Sequence, residues 1–203
     1  MNVFYEEDGG FKVGTVLSST DAALQVEAPH GKRSKIKTNH VLLRFTSPLA
    51  DFLPTAEAIA AEVDIDFLWE CCGQDEFGFE ALAQDYVGHP PSAVEAAAIA
   101  LRLHSAPIYF HRKGRGRYRA APEDILKAAL AGQEKRRLQE VQITEWAAQL
   151  AAGMLPEAIA SQLMTLLHRP DKNTLEWKAL EAACRTSGLS PLKLAAAAGG
   201  IPS

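Results

Sequence analysis

No stretch of the 203-residue chain reaches the ~18 consecutive apolar residues that a membrane-spanning helix needs, so no transmembrane helix is expected. The opening MNVFYEEDGG has neither a basic n-region nor an apolar h-region and does not read as a signal peptide. Cysteine is scarce: Cys71, Cys72 and Cys184 form no CxxC pair, which argues against a disulfide or zinc framework and for a reduced, cytoplasmic protein with buried thiols. There is no GxSxG, no cysteine with an evident base and no full dinucleotide loop. Asp64 and Asp66 are two apart, so on a helix they point to different faces and would not share a metal. No catalytic residue and no metal site is therefore expected in this chain. What is abundant is apolar material, at 47%, enough for a packed core.

Positive charge is missing from one long interval. No Lys or Arg lies between Arg44 and Arg102, while carboxylates run from Asp51 to Glu95. A net charge of only -4 thus hides an acidic block between two basic regions, a polarity that orients a molecule toward a polyanion or a basic partner. The densest positive charge is in HRKGRGRYR, residues 111–119, where five of nine residues are Lys or Arg. A second cluster, EKRR at 134–137, fits an exposed helix face.

Residues 1–50 read as five short strands, NVFYEE, GFKVGTVLSS, AALQVEAP, KRSKIKTN and HVLLRF, with turn signals such as Asp8-Gly9-Gly10 between them. This pattern predicts a small SH3-like β-barrel, its exit bracketed by Pro48 and Pro54. Residues 51–121 predict three helices, over 55–72, 79–87 and from the Ser92/Glu95 capping box to about 104, then a hairpin over 107–120 with a glycine turn. Three helices followed by a hairpin is the order of a winged helix, with the hairpin as the wing. Residues 122–203 return to helix: a long alanine-rich one to about Gly153 with a weak point at Gly132, one opened by Pro156, one with an Asn173/Glu176 capping-box pattern, and a last one from Ser190-Pro191. The fold class expected is α+β, mostly helical, in three parts. The closing AAAAGGIPS reads as a cut in a linker.

Two features point to nucleic acid. In the wing, Arg112, Lys113, Arg115, Arg117 and Arg119 can neutralise phosphates, Gly114 and Gly116 permit a tight turn with positive φ, and Tyr118, His111 or Tyr109 can stack on a base. In the fourth strand, Lys32, Arg33, Lys35 and Lys37 make a basic edge, with Ile36 turned the other way. The third helix, by contrast, is nearly all Ala, Ile, Leu and Glu. It lacks the side chains that read base edges in a major groove, so it is expected to be core.

Together, VFYEEDGGFKVGTVLS, VLLRF, DFLWE, EFGFEALAQDYVG, PSAVEAAAIALRLHSAPIYFHRKGRGRYR and RPDKNTLEWKALEAAC resemble the N-terminal region of bacterial ribonuclease II (RNB) family exoribonucleases, in the branch that carries a winged-helix segment. The resemblance covers essentially the whole chain. It implies a non-catalytic RNA-binding region ahead of an RNB domain that degrades single-stranded RNA from the 3′ end with clustered aspartates and Mg²⁺. No residue here matches that aspartate cluster. The chain also departs from members whose N-termini carry paired cold-shock barrels. The expected partners are single-stranded RNA and the chain's own catalytic domain, with the chain a monomer. The alternatives are a protein-interaction or autoregulatory module that docks an acidic surface, and a winged-helix DNA-binding protein.

Overall fold

A computed structural model describes residues 1–201. The chain is α+β, about half helix and a fifth strand. It divides into two compact units, Met1–Lys127 and Ala128–Ser203. No helix among the described residues is long and apolar enough to cross a membrane.

The first unit opens with β1 (Asn2–Glu7), β2 (Gly10–Ser19), β3 (Ala23–Glu27), β4 (Arg33–Lys37) and β5 (Val41–Phe45). They form one antiparallel sheet in the order β4-β3-β2-β1-β5. Asp8 and Gly9 both take positive φ, 53° and 75°, which closes the β1–β2 hairpin in two residues. Side chains alternate along β1. Val3 and Tyr5 join Leu24, Val26 and Ile36 in one core, while Phe4 faces a second, larger core with Val13, Phe45 and Phe52. Both faces of β1 are therefore buried.

The sheet curls. Its outer strands β4 and β5 are joined only by a 3₁₀ turn, Thr38–His40. Four Cα steps reach at most ~14 Å, whereas four strand spacings across a flat sheet come to ~19 Å. The edges must bend toward each other, yet no β4–β5 ladder forms among the described residues. The expected barrel is thus an open, curled sheet. The 3₁₀ turn swings the chain out of β4 without laying β5 beside it in register.

The first helix starts earlier than expected, and the single helix expected over 55–72 is two, broken at the Asp64 cap. α1 runs Leu49–Ala61 from the N-cap Pro48, so Pro54 lies inside it rather than before it. α2 (Ile65–Glu70) is capped by Asp64, whose carboxylate accepts from the amides of Asp66 and Phe67. α3 is Phe79–Val87, ended by Gly88 at φ 78°. α4 (Ala93–His104) opens with both halves of the Ser92/Glu95 capping box. α4 buries Ala96, Ala97, Ala98, Ile99, Ala100 and Leu103. The run of small side chains lets α1, with Ala56 and Ala60 inward, pack against the same core. β6 (Phe77–Gly78), β7 (Phe110–Gly114) and β8 (Arg117–Ala120) form a second sheet in the order β6-β8-β7. Phe4 and Phe45 of the first sheet, Phe52 and Leu103 of the helices and Tyr118 of the second sheet share one core. The expected boundary after residue 50 is therefore no break in packing, and the division falls within α5 (Glu123–Ala151).

In the second unit α5 is uninterrupted at Gly132 and is followed by α6 (Glu157–Ala160), α7 (Leu163–His168), α8 (Leu175–Ser187) and α9 (Pro191–Ala197). Leu150, Ile159, Leu163, Leu166, Leu180 and Leu194 form its core. The cap of α8 is Thr174, not Asn173: its hydroxyl accepts from the Trp177 amide at 3.3 Å, while the Asn173 amide donates to Asp171. Ser190 caps α9 with Pro191 at its first position.

Candidate nucleic-acid interface

The 111–119 cluster does form a hairpin, but its charges have three different fates. Period-2 alternation in β8 turns Arg117 and Arg119 out and Tyr118 in. Arg112 stands directly across from Tyr118 and so shares its inward face, while His111 stands across from Arg119. The inward arginine meets an acid: the Arg112 Nε donates to Glu6 Oε1 at 3.0 Å. Glu6 lies on the same face of β1 as Phe4 and is 2% exposed. Its second oxygen and the Tyr118 hydroxyl are both buried without a hydrogen-bond partner among the described residues. Burial, and then the Glu6 charge, push the Tyr118 phenol up to about 12, with Arg112 opposing.

Tyr118 is 1% exposed, so it is not the stacking face expected of it; its ring belongs to the core. Tyr109 precedes β7 and is tied down as well: its hydroxyl donates to Asp66 at 2.8 Å, and burial followed by that bond raises its pKa. Of the aromatic candidates in the hairpin, His111 alone remains at its partly exposed outer face. Gly114 has no positive φ; Gly116 does, at 68°. Gly116 is also buried, and a Cβ there would stand 2.9 Å from the Phe79 ring and 3.0 Å from Leu42. Its carbonyl accepts from the Phe79 amide at 2.9 Å. The base of the turn is thus clamped onto α3 and β5 rather than standing clear of the core.

The outward arginines are held by the segment leading into β6. Arg117 Nε donates to Glu76 at 2.7 Å, an exposed pair. Arg119 Nε donates to the Gln74 carbonyl at 2.8 Å, a neutral partner that leaves its charge uncompensated. Lys113 and Arg115, at the tip, are exposed and have no carboxylate partner among the described residues. On β4 the alternation holds: Ile36 is buried while Arg33, Lys35 and Lys37 share the exposed face. Arg33 pairs with Glu27 at 3.2 Å; Lys32 is exposed beside it. Among the described residues, the candidate cations without a carboxylate partner are therefore Lys113, Arg115 and Arg119 on the hairpin and Lys32, Lys35 and Lys37 at the sheet edge.

α4 presents no reading face. Its one Arg, Arg102, donates from Nε to the Val63 carbonyl at 3.1 Å. Among the described residues no group of three or more His, Cys, Asp or Glu is placed to hold a metal.

Sequence reading missed the partners Glu6, Glu76 and Gln74. The alternation of Phe4 and Glu6 carried the signal for the first, since a residue two beyond a core aromatic in a strand shares its face. No local signal marks the other two. The chain matches none of the family models, curated proteins or solved structures with which it was compared.

Proposed function

We propose that this chain binds single-stranded RNA through the hairpin tip and the β4 edge, as the non-catalytic N-terminal region of an RNB-family 3′-to-5′ exoribonuclease acting in the cytosol. The observation that carries the reading is the state of charge on the hairpin. Lys113 and Arg115 lack acidic partners among the described residues, and Arg119 is held only by a neutral carbonyl. Like charges this close repel unless a polyanion approaches. The family reading rests on the resemblance in sequence. It takes the curled sheet as an SH3-like element and α1–α4 with the β6-β8-β7 sheet as a winged helix. α4 faces the core and its arginine is tied to backbone, which favours single strands over major-groove reading of duplex DNA. Titrating labelled single-stranded RNA and duplex DNA by fluorescence anisotropy tests this. Tighter binding of the single strand supports the proposal, and a preference for duplex overturns it.

One observation favours a second reading. Arg112 and Arg117 already grip carboxylates, those of Glu6 and Glu76, so the hairpin suits an acidic protein surface as well. That surface would be the parent enzyme's own catalytic domain. Binding to that domain with no RNA affinity in the isolated chain would establish it.

A further inference from the structure

At the foot of the hairpin lies a cavity of about 580 Å³, within the size range of small-molecule sites. The end of α2 and the loop after it supply Trp69, Glu70, Cys72 and Gln74; the exit of β8 supplies Arg119; the start of α5 supplies Glu123. Two of these side chains are oriented by backbone carbonyls. The Trp69 indole N–H donates to Ala121 at 2.9 Å, and Arg119 Nε donates to Gln74 at 2.8 Å. Each is fixed through one atom, and part of its binding surface is left over. Trp69 packs part of its ring against the core and lines the cavity with the rest; Arg119 keeps its two terminal amino groups, which make no hydrogen bond among the described residues. A flat aromatic surface and a planar donor fork, both held in place beforehand, make a site with little ordering left to do on binding.

We propose that this cavity holds one nucleotide of the bound strand, its base on Trp69 and its phosphate on Arg119. The chemistry selects this class. Indole rings stack on bases of any sequence, and the guanidinium fork matches phosphate. The Glu70 and Glu123 carboxylates on the lining can accept from the exocyclic amino groups of a base. Adenine, cytosine and guanine are therefore preferred to uracil. The Cys72 thiol donates to the Leu68 carbonyl at 3.5 Å, and burial, then the neighbouring Cys71, push it up to about 12. This site deepens the RNA-binding reading and rests on it.

The chain has three tryptophans, so Trp146→Phe with Trp177→Phe leaves Trp69 as the sole reporter. In that background, oligo(A) and oligo(U) are titrated while Trp69 emission and the anisotropy of labelled RNA are both followed, and AMP and ribose 5-phosphate are titrated in parallel. The expected result is quenching of Trp69 by oligo(A) and AMP, weaker quenching by oligo(U), and none by ribose 5-phosphate. Arg119→Ala should weaken AMP binding ~10-fold, the loss of one charge-assisted contact to phosphate. Anisotropy that reports RNA binding while Trp69 emission stays unchanged overturns the nucleotide site and leaves the RNA reading standing. Quenching by AMP without RNA binding keeps the site and removes the RNA reading. No response to any ligand removes both.

Discussion

Replacing Arg112 with Ala should destabilise the first unit more than any other single change among the hairpin cations. The substitution leaves Glu6, 2% exposed, as a buried carboxylate whose side chain makes, among the described residues, no hydrogen bond besides the 3.0 Å contact to Arg112. Breaking a fully buried ion pair from one side costs about 3–5 kcal/mol. Here the arginine side chain is 47% exposed, so water already screens part of the attraction. Stranding a buried neutral acceptor costs about 1–3 kcal/mol. The expected loss lies between these limits, at about 2–3 kcal/mol. Arg117→Ala is the control, because its pair with Glu76 is exposed on both sides and should contribute about 0–1 kcal/mol. Trp69 is the one tryptophan within residues 1–127, so urea unfolding followed by its emission in the Trp146→Phe, Trp177→Phe background reports this unit. Adding Glu6→Gln to Arg112→Ala should recover at least ~1 kcal/mol, since the stranded charge is gone. Equal losses for Arg112→Ala and Arg117→Ala would refute the special weight given to the Arg112–Glu6 pair. Failure of Glu6→Gln to rescue would assign the loss to packing of the arginine stem instead.

Gly116→Ala combines positive φ with a contact of 2.9 Å to Phe79 and should cost about 1–3 kcal/mol, whereas Gly114→Ala, with negative φ and only Arg117 Cβ nearby at 4.0 Å, should stay within ~0.5; chemical denaturation compares them. The folded unit holds the protons of Tyr118 and Cys72 up to about 12, above the ordinary 10.0 and 9.0. Its stability should therefore be complete below pH ~9 and decline as pH rises through 10 toward 12, with Tyr118 accounting for roughly 2–3 kcal/mol. Tyr118→Phe should flatten that decline, and an unaltered pH profile would contradict the assignment. In α4, Ile99→Ala and Leu103→Ala, both fully buried, should each cost about 2–5 kcal/mol, and the partly exposed Leu101 distinctly less; thermal melts check the order.

Where side chains alternate or cap, the sequence was legible. All five strands of the first sheet and the α3, α4 and α9 boundaries follow from period-2 runs, the Ser92/Glu95 box, Gly88 and Ser190-Pro191. The start of α1 was misread because Pro54 looks like a boundary, yet helix packing tolerates it at the sixth position. Barrel closure depends on how the chain leaves β4, which local pattern does not encode. The candidate interface was half legible. The positions of Lys35, Lys37 and the hairpin follow from alternation and glycine, and the same alternation carries Tyr118 inward. Which arginines stay free depends on Glu6, Gln74 and Glu76, between 41 and 106 residues away in sequence. Contacts at that separation are set by tertiary packing alone.

The central claim is that the hairpin tip neutralises RNA phosphates. Its most direct test is the salt dependence of single-stranded RNA affinity, measured for the unmodified chain and for Lys113→Ala with Arg115→Ala. These residues lie outside the core and outside the ion pairs with Glu6 and Glu76, so the fold should be kept, as circular dichroism would verify. Each phosphate contact contributes about 0.7 to the log–log slope, so losing two should lower it by roughly 1.4. An unchanged slope and affinity in the folded double variant would contradict the claim.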